Sequence, residues 1–297
     1  MRSISLPSFA KINLDLRVLG TRPDGYHDLR TVFQSLALFD TVTVTTRRGP
    51  LAVTCDEPDI PTDQRNLVWK AASLLHRVST GKSSAPRGLA IAVRKRVPTE
   101  AGLGGGSSNA AVTLLALNKL WKLDLDVATL TRIGARLGAD VPYFLIGGTA
   151  LGLGRGDDIY PLADMPPVHV VILRPGFGVA TSDAYKWFDE ELRRPVKEPV
   201  PRLVPPGWPA WSATLGNDLE IPVVRHHPAI GRIRQSLLDA GATFAAMSGS
   251  GSAIFGLFEQ GDAARRTAND LARPGWLSLH TRTLSRREYD RRVARFL

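Results

Sequence analysis

The chain of 297 residues sets 38 lysines and arginines against 28 aspartates and glutamates, a formal charge of +10, and 43% of it is hydrophobic. That suits a globular protein with enough apolar side chains for two packed domains. A single cysteine, Cys55, excludes an internal disulfide framework and a multi-cysteine zinc site, and fits a reducing compartment. The segment Met1 to Pro7 lacks the apolar core of a secretory signal, and the longest uncharged apolar run, Val141 to Gly154, is too short and glycine-rich to span a bilayer. The expectation is a soluble cytoplasmic protein without a membrane partner. Positive charge of this size is one mark of a nucleic-acid binder. Here the basic residues are scattered, however, with an excess only after Arg265, where Asp270, Glu288 and Asp290 interleave. No base-stacking platform accompanies them, so the expectation is no nucleic-acid partner and a surface that attracts anionic substrates.

The first strand runs from about Ser8 to Leu19, with Ile12, Leu14, Leu16 and Val18 on one face and Lys11, Asn13, Asp15 and Arg17 on the other. The polar face is either plain exposed surface or a means of presenting Lys11 and Asn13 to one ligand. Turn chemistry follows at Gly20 to Gly25, and Tyr26 and His27 emerge at its edge, as surface or as a binding pair. Thr41 to Thr45 alternates as a strand, with Leu51 to Thr54 expected to pair with it. Asn66 caps a helix reaching Val78, in which Leu67, Ala71, Leu74, Leu75 and Val78 fall at helical spacing.

Leu89 to Val97 is the next strand, and Ala110 to Trp121 is a helix apolar almost all round. Between them lie Pro98, Thr99, Glu100, Ala101, Gly102, Leu103, Gly104, Gly105, Gly106, Ser107 and Ser108. A glycine loop that joins a strand to a buried helix brings main-chain N–H groups and the positive end of the helix to one point, which binds phosphate. It is no Walker loop, since no lysine precedes Ser107, and no dinucleotide fingerprint, since the sixth residue from Gly102 is Ser107. A helix from Val127 to Leu137 should end on Gly138 as a left-handed cap. Pro142 then forbids helix, so Asp140 sits on a tight connection, as a turn aspartate or as an aimed carboxylate.

Glycines and prolines between Leu153 and Pro167 mark a boundary, dividing the chain into residues 1–160 and 161–297. The second part reads as a strand at Val168 to Leu173, a helix at Ser182 to Glu191 and a proline-rich surface excursion at Arg193 to Gly216. A helix from Pro228 to Ala240 and a strand from Thr243 to Met247 lead to the small-residue turn Ser248 to Ser252. The strand Ala253 to Phe258, the helix Asp262 to Leu271 and the strand Trp276 to Thr283 complete it. No internal repeat is evident, and the class is α+β in two halves.

Three separated elements, the strand carrying Ala10-Lys11-Ile12-Asn13-Leu14, the loop at Gly102 to Ser108 and the turn at Ser248 to Ser252, resemble the motifs of the GHMP kinase superfamily of small-molecule kinases. The likeness spans nearly the whole chain. With Arg22-Pro23-Asp24-Gly25-Tyr26-His27 and Leu137-Gly138-Ala139-Asp140-Val141-Pro142, it extends to the branch that acts on 4-diphosphocytidyl-2-C-methyl-D-erythritol. The resemblance implies a ribosomal-protein-like α/β first domain, a ferredoxin-like second domain and an active site in the cleft between them. It implies ATP-dependent phosphorylation of that alcohol's 2-hydroxyl in the non-mevalonate route to isoprenoid precursors, with Mg²⁺. Carried over by position, Asp140 is the catalytic base and Lys11 the catalytic lysine. Asn66 and Lys95 flank the adenine pocket, Pro98 to Ser108 wrap the triphosphate, and Ser107 or Ser108 offers a hydroxyl near the metal. Asn13, Tyr26, His27 and Tyr185 are implied at the cytidine-diphosphate substrate. Glu100 departs from the pattern by bringing a carboxylate into the loop.

Overall fold

Alternating apolar and polar residues make an unusually long first hairpin. In the computed structural model, which describes residues 2–81, 86–192 and 215–295, β1 (Ser3–Thr21) pairs antiparallel with β2 (His27–Pro50). The turn between them closes where the Arg22 N–H donates to the Tyr26 carbonyl at 2.7 Å, with Gly25 at φ +81°. The register slips between Phe9 and Lys11 and again between Asn13 and Asp15. Such bulges re-aim the side chains around them.

β4 (Arg87–Arg94) and β5 (Thr149–Gly154) pair with β2, and β6 (Asp158–Pro161) extends the sheet beyond β5. β3 (Ala52–Cys55) runs parallel to β4 and does not pair with Thr41–Thr45. The helix α1 (Leu67–Thr80) lies between β3 and β4, and such a crossover brings strands in parallel. The buried helix α2 begins at Gly105, five residues before the apolar run, and reaches Trp121. It packs on α1, on both long strands and on α3 (Val127–Ala135).

A second sheet of β10 (Leu277–Arg282), β7 (His169–Arg174), β9 (Ile254–Phe258) and β8 (Phe244–Met247), in that order, is wholly antiparallel. Its helices are α4 (Thr181–Leu192), α5 (Glu220–His226), α6 (Pro228–Asp239) and α7 (Gly261–Asp270). Most of the proline-rich excursion, residues 193–214, lies outside the described residues.

An apolar cluster joins the two sheets: Ala10, Ile12, Leu14 and Leu36 of the first meet Ile172, Phe255 and Leu257 of the second, with Val97 and Leu103 between. Both faces of β1 are therefore covered, and Lys11, Asn13 and Asp15 are each only 3% exposed. The exposed-face reading of that strand fails because Gly104 and Phe33 of the first domain cover Lys11, while Ser248 and Gly216 of the second reach Asn13 and Asp15. The last helix, α8 (Arg286–Ala294), has no counterpart in the sequence reading and returns to the first core through Tyr289 and Val293. The Tyr289 hydroxyl donates to the Phe144 carbonyl at 2.6 Å. Among the described residues no helix is long and apolar enough to cross a membrane.

Candidate active site

The glycine loop is fastened before it begins. Asp40, at the centre of β2 and fully buried, accepts the N–H groups of Arg96 and Val97, each at 2.7 Å, and its other oxygen pairs with the Lys95 ammonium. A carboxylate buried so completely needs such partners, and here they turn the chain out of β4. Glu100, Gly102 and Gly104 then take φ of +51°, +71° and +71°. The Leu103 carbonyl accepts the Lys11 N–H at 3.0 Å, and the Ser248 hydroxyl donates to the Gly102 carbonyl at 2.9 Å. A Cβ on Gly102 would lie 1.9 Å from the Ser248 carbonyl oxygen. The small-residue turn of the second domain is thus pressed onto the loop, backbone against backbone.

Gly104 caps α2, and the first helical bond runs from the Ser108 N–H to the Gly104 carbonyl at 2.9 Å. The N–H groups of Gly105, Gly106 and Ser107 precede that bond, at the positive end of the helix. Two cavities meet at this point. The smaller, about 340 Å³, is lined by Asn66, Lys95, Pro98 to Ser107 and Asn109. The larger, about 1570 Å³, holds Lys11, Asn13, Tyr26, His27, Asp140 and Tyr185. Glu100, Gly102, Gly104 and Ser107 border both, so one elongated ligand could run from one into the other past the loop. Glu100 is exposed and reaches toward Gly178 of the second domain, where a Cβ would lie 2.8 Å from its Oε2. Ser108 lines neither cavity: its hydroxyl accepts from Ser8 at 2.8 Å in the buried interior. Ser107, one helical step away, faces the cavity.

Lys11 Nζ donates to Asn13 Oδ1 at 2.6 Å and stands 3.5 Å from Asp140 Oδ2. Asn13 is held in turn by donating to the Thr31 hydroxyl at 2.7 Å, and the Phe33 ring lies 5.5 Å from the ammonium. The lysine side chain is 4% exposed and the aspartate 34%, so the cation is committed to the interior while the carboxylate faces the cleft. Asp140 reaches this position by a different route from the one expected. α3 stops at Ala135, and Arg136, in right-handed geometry, is its cap. Gly138 is not left-handed: the N–H groups of Leu137 and Gly138 both bond the Gly134 carbonyl, and the Gly138 carbonyl accepts from Val141. These tightening turns carry the chain into the short 3₁₀ segment Tyr143–Leu145.

Side chains from both domains form the far wall. Tyr26 is 59% exposed, with the Arg155 guanidinium 5.5 Å from its ring centre. The His27 ring stacks on Tyr185 at 4.7 Å and 20°, and its Nε2 lies 2.9 Å from Asp189 Oδ1. Burial, helped by the nearby Asp140 carboxylate, pushes the Tyr185 phenol well above its ordinary range. Sequence reading missed Thr31, Phe33, Asp40, Arg155 and Asp189. For Asp189 the one available signal is its spacing of four from Tyr185 on a helix.

Profiles for the GHMP kinases N terminal domain and the GHMP kinases C terminal domain match residues 66–148 and 209–275. The 4-diphosphocytidyl-2-C-methyl-D-erythritol kinase of Moorella thermoacetica is 40% identical over 290 residues, covering 96% of this chain and 100% of that one. The chain belongs to the 4-diphosphocytidyl-2-C-methyl-D-erythritol kinase family. The kinase of the same name from Syntrophus aciditrophicus is 40% identical over 92% of this chain and 96% of its own. A crystal structure of 4-(cytidine 5'-diphospho)-2C-methyl-D-erythritol kinase superposes with a TM-score of 0.76 at 36% identity, covering 94% and 99% of the two chains. Homoserine kinase from Cytophaga hutchinsonii, at 18% identity and a TM-score of 0.65, shares the fold. The chain is accordingly an ATP-dependent small-molecule kinase of GHMP type. In this kinase family's α+β frame, Lys11, Asn13, Tyr26, His27, Asp140 and Tyr185 surround one cavity. Asn66, Lys95 and the loop from Pro98 to Ser107 surround the other. Among the described residues no group of three His, Cys, Asp or Glu is placed to hold a metal ion.

Proposed function

We propose that the chain transfers the γ-phosphoryl group of ATP to the 2-hydroxyl of 4-diphosphocytidyl-2-C-methyl-D-erythritol, a step of the non-mevalonate route to isoprenoid precursors. The observation that carries this reading is the approach of Lys11 Nζ to Asp140 Oδ2, at 3.5 Å, beside a loop of uncommitted main-chain donors. Phosphoryl transfer asks a protein mainly for in-line placement and charge stabilisation. The N–H groups of Gly105, Gly106 and Ser107 would bind phosphate oxygens, and the smaller cavity, between Asn66 and Lys95, would take the adenine.

Asp140 would accept the hydroxyl proton as the substrate oxygen bonds to the γ-phosphorus and the bond to the departing ADP oxygen breaks. Lys11, 3.5 Å from that carboxylate, would orient it and stabilise the charge that develops on the transferring group. Mg²⁺ would come with the nucleotide: the Ser107 hydroxyl, which borders both cavities, would be the loop group offered to it, and among the described residues no cluster of three His, Cys, Asp or Glu would retain it alone. When bound it supplies charge neutralisation at the phosphates. At the far end Tyr26 would stack on cytosine and His27 would bond the base edge, with Tyr185 behind the imidazole. This reading implies a soluble cytoplasmic enzyme without membrane or nucleic-acid partners.

A coupled ADP-release assay with ATP, Mg²⁺ and three alcohols tests it: 4-diphosphocytidyl-2-C-methyl-D-erythritol, homoserine and mevalonate. ADP release is expected with the first alone, and turnover of either of the others at a comparable rate overturns the substrate assignment.

A further inference from the structure

One helix of the second domain grips one side chain of the first. His27 opens β2 at the mouth of the large cleft, and α4 holds its imidazole in three ways. Tyr185 covers a face at 4.7 Å, Phe188 approaches edge-on with ring centres 6.4 Å apart, and Asp189 Oδ1 meets Nε2 at 2.9 Å. The chemistry of the last contact fixes a proton. An ionised carboxylate only accepts hydrogen bonds, so Nε2 must carry the hydrogen. In the neutral ring Nδ1 then keeps its lone pair and is an acceptor. No protein donor among the described residues engages Nδ1, which makes it the one uncommitted polar atom of a side chain that is otherwise clamped.

We propose that Asp189 is a positioning residue that sets base choice: by holding the proton on Nε2, it makes His27 an acceptor for the exocyclic amine of cytosine and a mismatch for the carbonyl of uracil. The inference rests on the reading above, in which His27 meets the base edge. Cytosine presents an amine donor at its position 4, whereas uracil presents a carbonyl oxygen in the same place. Acceptor against acceptor leaves two polar groups unmet, and unmet groups in a closed site are the source of strong discrimination between otherwise similar ligands. Tyr185 and Phe188 contribute by keeping the ring from swinging to offer its other nitrogen. Asp189 and the His27 imidazole share no hydrogen bond with the Lys11–Asp140 pair, so base choice and phosphoryl transfer can be read separately.

Calorimetric titration of CDP and UDP into the full chain tests the proposal, with Asp189→Asn, Asp189→Ala and Asp189→Lys beside the wild type. The Asp189 side chain is 41% exposed, so truncation there leaves little cavity behind. Wild type should prefer CDP, and Asp189→Asn, whose amide oxygen still accepts from Nε2, should keep that preference. Asp189→Ala should lower the CDP-over-UDP ratio by roughly three- to tenfold, the range of one neutral hydrogen bond. Asp189→Lys donates to Nε2, drives the proton to Nδ1 and should lower the ratio further, with the histidine ¹⁵N spectrum reporting the moved proton. A ratio unchanged in both Asp189→Ala and Asp189→Lys overturns the lock, as does equal weakening of CDP and UDP. A wild type that binds CDP and UDP equally removes the base reading itself.

Discussion

The loop side of the cleft is consecutive main chain from Pro98 to Ser107, whereas the aromatic side is assembled from side chains on the β1–β2 turn, β2, the β5–β6 connection and α4. The first is held by Asp40 below, Lys11 N–H beside and the Ser248 turn above, and it exposes N–H groups whose direction no rotamer can alter. The second depends on rings and charges from two domains: Tyr26 against Arg155, and His27 against Tyr185 and Asp189. A wall of backbone suits phosphate, which is the same in every nucleotide. A wall of side chains suits the part of a ligand that must be told from its relatives. The two walls should therefore fail differently, the loop to added atoms and the aromatic side to changed chemistry.

Gly102→Ala should do the most damage. Its Cβ would meet the Ser248 carbonyl oxygen at 1.9 Å from a residue at φ +71°, and a loss of about 3–5 kcal/mol is expected in denaturant titration. Gly106→Ala sharpens the point, because the nearest atom to its Cβ is Leu67 Cδ1 at 3.7 Å. That variant should melt like wild type yet bind ATP at least about tenfold more weakly, since the methyl group enters the nucleotide cavity. If both glycines lose only stability, the loop is a domain joint and not a phosphate cradle.

Asp40→Asn comes next. The amide oxygen can still accept from Arg96 and Val97, but the Lys95 ammonium, itself 5% exposed, loses its counter-charge. A cost of about 2–3 kcal/mol is expected, with a rise in KM for ATP and little change in KM for the alcohol. Equal rises in both constants would break the separation of the two walls.

The smallest effect lies outside both. Glu288 on α8 bonds Arg282 and Arg292, and these guanidinium groups, Arg282 foremost, hold its carboxyl below the ordinary value of 4.5. A carboxylate whose pKa is lowered by folding contributes stability above its unfolded pKa, and that stability is lost as the pH falls through the folded value. Glu288→Gln should thus cost about 0.5–1 kcal/mol at pH 7, the arginines being a third exposed, and this difference from wild type should fade as the pH falls below 4.5. Neither ligand's affinity should move.

The same contrast explains what the sequence could disclose. The loop was legible because its residues are consecutive and its signal, glycines between a strand and an apolar helix, is local. Lys11 and Asn13 were legible as a pair by alternation, but not their burial, which depends on groups distant in sequence: Gly104 and Phe33 against Lys11, and Ser248 against Asn13. Ser108 shows the cost of misplacing a helix start. Once α2 begins at Gly105, Ser107 and Ser108 point in directions about 100° apart, and only the former faces the cavity. Asp40 carried no local mark at all, since its partners lie more than fifty residues on, just past the end of β4. α8 escaped because Tyr289 and Val293 are its only buried apolar residues among arginines, too sparse a stripe to read.

The most direct test of the account is rapid-quench phosphoryl transfer by Asp140→Asn, with ATP affinity measured by calorimetry on the same preparation. The prediction is a transfer rate lower by at least about 100-fold, with ATP binding within about twofold of wild type. Transfer at the wild-type rate, with the amide in place of the carboxylate, would contradict it.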